Sequence, residues 1–262
     1  MAEVIMIESQ EHAGRLAADA VAALLRRTPF PVLGLATGSS PAPVYRELGR
    51  RVEDGALSLS RARAFLLDEY VGLPAEDPQR YRRVIERQVM AATDLDPTRV
   101  YAPDGMAEDL EEECTAYERR LRAAGGVDLQ LLGIGANGHI GFNEPGSSLG
   151  SRTRLKTLTA RTRADNARFF DDDPARVPEH CLTQGIGTIM DARHLILLAF
   201  GEAKAEAVHQ LVEGPVSAKW PATALQWHPH VSILIDEAAA SRLELADTAR
   251  DAWSAKPTWK GL

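Results

Sequence analysis

Only two cysteines occur in 262 residues, Cys114 and Cys181, and neither belongs to a Cys-x-x-Cys pair. That argues against a disulfide framework or a zinc knuckle and fits a reduced compartment. No apolar run approaches the roughly 18 residues that a membrane span requires, and the opening MAEVIMIES lacks the basic n-region of a secretory leader. Basic residues are not in excess either: 30 Lys plus Arg face 37 Asp plus Glu, a net charge of −7. A uniformly basic nucleic-acid surface is therefore not expected, although a local basic pocket remains open. Linkers rich in Gly/Ser or Pro, low-complexity tracts and internal repeats are all missing. The expectation is one domain over residues 1–262, cytoplasmic, with neither membrane nor nucleic-acid partners.

What is present is an ordinary globular balance, 45% hydrophobic and 26% charged, on a chain long enough to bury a substantial core. Short apolar runs at 4–7, 32–36, 64–67, 129–133, 194–200 and 231–235 read as strands. Helical periodicity marks 11–27, 43–54, 79–92 and 108–124. The strand runs are continuously apolar, the pattern of a sheet covered by helices on both faces. Together with the βα alternation this predicts an α/β fold with a mainly parallel sheet. Residues 136–190 form the exception, long, polar and poorly periodic, which predicts a site or lid rather than a plain connection.

Ligands in open α/β sheets bind beyond the carboxyl ends of the strands. Here those ends carry Thr37-Gly38-Ser39-Ser40-Pro41, Asp68-Glu69-Tyr70, the stretch GIGANGH at 133–139, and Gly201-Glu202-Ala203-Lys204. Backbone N–H groups and hydroxyls at a helix start attract a phosphate, so residues 37–41 suit one; an ordinary capped helix start explains the same residues. No Gly-Lys-Ser/Thr follows, so this is not a Walker A loop. Lys204 and the arginines of 152–168 could supply positive charge.

Gly133-x-Gly135-x-x-Gly138 matches the dinucleotide fingerprint and follows a strand. Its context fails, because Pro145 and Gly146 interrupt the helix that should come next and no acidic residue stands about 20 positions on. The glycines then read as room for tight backbone turns against a small ligand. In the same loop His139 and Glu144 stand five residues apart with Asn137 and Asn143 nearby. A carboxylate-oriented histidine moves protons near neutral pH; a hydrogen-bonded loop histidine is the plainer alternative. A third ligand of suitable spacing for a metal is missing. Asp68 at a strand end can be desolvated into a base, or can be a cap or a salt-bridge partner. His228-Pro229-His230 reads as a surface loop, and Asp171-Asp172-Asp173 as a solvated acidic turn.

Four segments then carry a resemblance: LDEYVGLP (67–74), GIGANGHIGFNEPGSSLGSRTRLKTLT (133–159), NARFFDDD (166–173) and the closing KGL (260–262). They closely resemble the glucosamine-6-phosphate deaminase family, in register along essentially the whole chain. The resemblance implies a three-layer αβα sandwich of modified Rossmann-like topology, with an active-site lid around 152–183. It implies conversion of D-glucosamine 6-phosphate and water to D-fructose 6-phosphate and ammonia in amino-sugar catabolism, with no cofactor and no metal. It also implies a homo-oligomer, hexameric in some members. By position, Asp68 matches the base that moves the C2 proton to C1, His139 the residue that opens the pyranose ring, and Glu144 its carboxylate partner. Gly38, Ser39, Ser40, Arg168 and Lys204 match the phosphate holders. Several members carry Asp where Asn137 stands, which leaves Glu144 to do more toward stabilising an imidazolium. Ser147, Arg154, Lys156 and Thr157 match positions that bind the activator N-acetylglucosamine 6-phosphate in regulated members, while the tyrosine those members use aligns with Arg250. The rival readings are a hydrolase resembling 6-phosphogluconolactonase and a non-catalytic sugar-phosphate sensor. DEYVGLP together with NGHIGFNEP favours the deaminase. The sensor would normally carry a DNA-binding segment, and retained Asp68, His139 and Glu144 speak against it.

Overall fold

In the computed structural model, which describes residues 3–257 and 260–262, seven parallel strands form one sheet. The strands of the chain are β1 (Glu3–Met6), β2 (Val32–Leu35), β3 (Arg63–Leu66), β4 (Asp68–Tyr70), β5 (Val100–Tyr101), β6 (Leu129–Gly133), β7 (Arg154–Thr157), β8 (His180–Thr183), β9 (Leu195–Ala199) and β10 (Val231–Ile235). The main sheet runs β1-β10-β9-β6-β2-β3-β5, and every pairing in it is parallel.

The helices are α1 (Gln10–Arg27), α2 (Ala42–Glu53), α3 (Tyr81–Gln88), α4 (Leu110–Ala123), α5 (Ala160–Asn166), α6 (Ile186–Met190), α7 (Ala205–Glu213), α8 (Glu237–Ala240) and α9 (Ala246–Ser254). Successive side chains of a strand point to opposite faces, so an all-apolar strand must feed two cores. Ile196 and Leu198 of β9 pack with α1 and α2, whereas Leu195, Leu197 and Ala199 pack with α4 and α7. Burying each such leucine contributes about 1.5–3 kcal/mol. The result is a helix–sheet–helix sandwich. Helix α1 can lie close on α2 because Gly14 has no Cβ; one would sit 2.6 Å from the carbonyl oxygen of Pro43.

Two features of the topology place the site. After β2 the chain adds β3 and β5 on one side, then returns to lay β6 against the other side of β2. The carboxyl ends of β2 and β6 therefore bound the crevice where strand order reverses, the usual ligand position. The second feature is a small antiparallel sheet, β4-β8-β7. It hangs from the end of β3: the N–H of Gln184 donates to the Leu67 carbonyl at 2.7 Å, and its side chain to that of Leu66 at 3.0 Å. Residues 152–183, expected as a lid without elements, thus hold two strands and a helix.

Candidate active site

A cleft of about 820 Å³ opens at the strand-order switch, lined by the loops after β2, β6 and β9, by Asp68, and by α5 with the turn that follows it. Gly38, Ser39, Ser40, Asp68, His139, Arg168 and Lys204 all line it. Asn137 and Glu144 stand behind His139, joined to it by hydrogen bonds.

The β2 loop is pinned at its root, where the Tyr45 hydroxyl donates to the Ala36 carbonyl at 2.6 Å and accepts from the Ala36 N–H at 3.1 Å. Gly38 then adopts φ +103°, open to glycine but costly for other residues. The β6 loop explains its own glycines. A Cβ on Gly135 would lie 2.2 Å from the His139 ring, and one on Gly138, which has φ +79°, 2.6 Å from Trp220. On Gly133 it would come within 3.6 Å of Ser40. The fingerprint glycines thus make room for side chains.

His139 is oriented by Asn137, whose Oδ1 lies 2.7 Å from the imidazole Nδ1. The Asn137 amide N–H in turn donates to Glu144 Oε2 at 2.7 Å, which fixes the amide orientation and makes Oδ1 the acceptor. Nδ1 therefore carries the proton and Nε2 is left as the basic nitrogen. Glu144 is 3.9 Å from Nδ1, so its charge reaches the ring through the Asn137 amide. Thr162 donates to Glu144 Oε1, and Thr159 reaches the same oxygen at 3.5 Å. Burial lowers the His139 pKa, Glu144 pushes it back up, and Lys204 lowers it further.

Asp68 and Glu69 point to opposite sides of β4, as neighbours in a strand must. Glu69 is fully buried and accepts from the N–H groups of Tyr70, Tyr81 and Arg82 at 2.9, 2.8 and 3.0 Å, so it caps the start of α3. Asp68 faces the cleft, is 7% exposed, and among the described residues its carboxyl takes no hydrogen bond. Burial first and the charge of Glu69 second push its pKa up to about 8.

At the other end of the cleft stand Lys204, on the turn after β9, and Arg168, on the turn after α5. Burial and then the charge of Arg168 lower the Lys204 pKa, while Asp165 opposes them. A wall of Tyr70, Tyr81, Phe142 and Phe170 completes the site, with ring centroids 4.9–5.9 Å apart among the contacting pairs.

Ser147, Arg154, Lys156 and Thr157 do not line the cleft. Ser147 is buried, and its hydroxyl has no hydrogen-bond partner among the described residues. Arg154 and Lys156 share one face of β7, while Thr157 points the other way, 3.3 Å from His180 Nδ1. Asp171–Asp173 form the exposed turn expected, with φ +55° and +59° at its first two residues. The surface-loop reading of His228 is corrected: it is buried, with ring nitrogens 2.9 Å and 2.7 Å from the carbonyls of His230 and Ala192. Sequence reasoning missed Tyr81, Thr162, Asp165 and Asn166, which reach the site only through the folding of the polar 136–190 stretch and of α3.

Residues 8–233 match the family described as glucosamine-6-phosphate isomerases/6-phosphogluconolactonase. The chain is 62% identical over 260 residues to glucosamine-6-phosphate deaminase of Beutenbergia cavernae, covering 99% of this chain and all of that one. The deaminase of Mycolicibacterium smegmatis gives the same identity and coverage. Among solved structures, a monomeric glucosamine-6-phosphate deaminase superposes with a TM-score of 0.89 at 44% identity, over 91% of this chain and 99% of that one. A 6-phosphogluconolactonase of Thermotoga maritima superposes at 0.71 with 18% identity, over 90% of this chain and all of that one, a likeness of fold.

Proposed function

The chain belongs to the family of glucosamine-6-phosphate isomerases and 6-phosphogluconolactonases, and on that premise we infer that it is a deaminase converting D-glucosamine 6-phosphate and water to D-fructose 6-phosphate and ammonia. The observation that carries the reading is the Asp68 carboxyl, buried and unpartnered in the same cleft as His139 and the paired cations Arg168 and Lys204. Lactone hydrolysis has no carbon acid to deprotonate, and a base there need only activate water.

Gly38, Ser39, Ser40, Arg168 and Lys204 hold the phosphate, and this remote binding fixes the sugar for the chemistry. Nε2 of His139 is the free nitrogen, suited to move a proton between O1 and the ring oxygen O5 as the pyranose opens. Asn137 relays the Glu144 charge that steadies the imidazolium. Asp68 takes the C2 proton to give an enolamine and returns it to C1, leaving an imine at C2. Water adds there and ammonia leaves. Helix α5 and the β7–β8 hairpin act as a lid rooted on the body of the domain.

Arg154 and Lys156 on one face of β7, Thr157 on the same strand, and the unpartnered Ser147 hydroxyl support a second sugar-phosphate site that takes N-acetylglucosamine 6-phosphate. The place of action is the cytoplasm, consistent with two free, buried cysteines. The resemblance implies a homo-oligomer, whereas the 44%-identical structural relative is a monomer. All residues proposed for turnover come from one chain, so assembly is not needed to complete the site. Light scattering separates a 28.5 kDa monomer from a hexamer.

Ammonia and fructose 6-phosphate should appear in equal amounts from glucosamine 6-phosphate, and Asp68→Asn should abolish both. Binding without turnover by the unaltered protein, with hydrolysis of 6-phosphogluconolactone instead, would overturn the assignment.

A further inference from the structure

Helix α5 carries a charge pattern that the reaction as described does not use. Its inward face is set by two contacts: Thr162 donates to Glu144, and the Asn166 amide donates to the Tyr70 hydroxyl at 3.0 Å. With that phase fixed, positions 161 and 165 lie at i and i+4 on the adjoining stripe, and 168 follows on the turn beyond the helix. They read Arg, Asp, Arg, and both Asp165 and Arg168 line the cleft. Other acids of this segment are engaged: Asp171 pairs with Arg176, and Glu179 lies 3.5 Å from Arg163. Asp165 is exposed and, among the described residues, neither hydrogen-bonded nor ion-paired.

We propose that Asp165 is a specificity-determining counter-charge of the phosphate grip: its carboxylate faces the cations that hold the substrate's phosphate and weakens their hold on anionic sugar phosphates, most of all the product. The proposal rests on the phosphate reading of the cleft. Its charge acts on Lys204 and on His139, and in both cases it opposes the lowering caused by burial. Arg168 and Lys204 alone would grip any phosphate dianion, and a product held too firmly limits turnover. Glucosamine 6-phosphate brings an ammonium that offsets part of its own charge. Fructose 6-phosphate and inorganic phosphate do not, so the same carboxylate disfavours them more. A unit charge several ångströms away across a partly wet cleft corresponds to roughly three- to tenfold in binding.

The test compares the full-length protein with Asp165→Asn and Asp165→Glu, using inorganic phosphate and fructose 6-phosphate as competitive inhibitors. In Asp165→Asn both inhibition constants should fall about three- to tenfold, with a smaller fall in KM for glucosamine 6-phosphate, and added salt should narrow the difference. Asp165→Glu should restore the original values. The titration of His139 itself, followed by NMR, supplies a readout that packing alone would not move. The charges facing His139 are Glu144 from its own loop, Lys204 from the β9 turn, and Arg161 and Asp165 from α5. Removing Asp165's charge leaves two cations against one carboxylate, so the His139 titration should shift to lower pH in Asp165→Asn only. Unchanged inhibition constants in an active Asp165→Asn would overturn the assignment, as would failure of Asp165→Glu to restore them. If inorganic phosphate does not inhibit the unaltered protein at all, the phosphate reading itself fails and this inference falls with it.

Discussion

In the proposed mechanism the carboxyl of Asp68 serves catalysis at the expense of the fold. An unfolded aspartate releases its proton near pH 3.8, whereas burial and the Glu69 charge hold this one to about pH 8. Between those values the folded chain binds one more proton than the unfolded chain, so this residue's contribution to stability falls as pH rises across the window and is flat above it. The proposed base is the ionised form, so kcat/KM should climb with pH, reach half its plateau near 8 and level off above it. Asp68→Asn removes the charge and keeps the shape. Its thermal midpoint should match the unaltered protein below pH 4 and exceed it increasingly toward pH 8, a gap equivalent to on the order of 1–3 kcal/mol of unfolding free energy, while turnover is lost. Midpoints that stay parallel across this range would show that Asp68 is solvated in the folded state. Glu69, its sequence neighbour, shows why residue type alone did not separate them: the two carboxylates differ only in which side of a three-residue strand they occupy.

At the scale of elements, the legible parts were those whose signal is local. The six apolar runs became β1, β2, β3, β6, β9 and β10, because a strand buried on both faces must be continuously apolar. The small sheet was not legible. β7 alternates in burial and carries Arg154 and Lys156 among only four residues, and β4 is three residues with two acids, so pairing rather than composition makes them strands. The catalytic motifs were legible because they sit where strands end, but the side chains that steady them from α5 were not. One buried carboxylate on α4 helps to anchor this unit. Glu118 accepts from the Thr153 N–H at 2.9 Å, from the Thr153 hydroxyl at 2.6 Å, from Thr188 and from the Arg152 guanidinium. Burial pushes its pKa up, but these hydrogen bonds outweigh it and hold it below the ordinary 4.5. A depressed carboxylate stabilises the fold above its unfolded pKa and loses that contribution as pH falls through the folded one. Glu118→Gln should therefore cost about 1–3 kcal/mol at pH 7, and the gap in unfolding free energy should close in acid below the folded pKa. A gap that persists unchanged there would assign the effect to packing and not to the charge.

Across the whole molecule, the proposed reaction site and the proposed second phosphate site lie on one continuous strand register. Arg154 stands opposite Thr183, and Thr183 opposite Asp68, so all three share a face of the small sheet. A ligand on Arg154 and Lys156 therefore has a short mechanical path to the base. A path is not a coupling: an effector shifts affinity only if two states of the molecule bind it differently. The residue that aligns with the regulatory tyrosine, Arg250, is engaged elsewhere. Its guanidinium pairs with Glu237 at 2.6 Å and with Asp247, beside a separate cleft formed with Met6, Ile7 and Trp253. Helix α9, which carries it, packs against β1 at the outer edge of the main sheet, whereas β7 is an edge of the small one. With no hydroxyl to engage and a carboxylate already paired to the guanidinium, Arg250 has no differential contact to offer an effector. N-acetylglucosamine 6-phosphate should consequently bind without altering turnover, giving superimposable hyperbolic saturation curves with and without it. A lowered half-saturation point would instead place the coupling in the Arg154–Thr183–Asp68 register, and Thr183→Val should then abolish the activation while leaving effector binding intact.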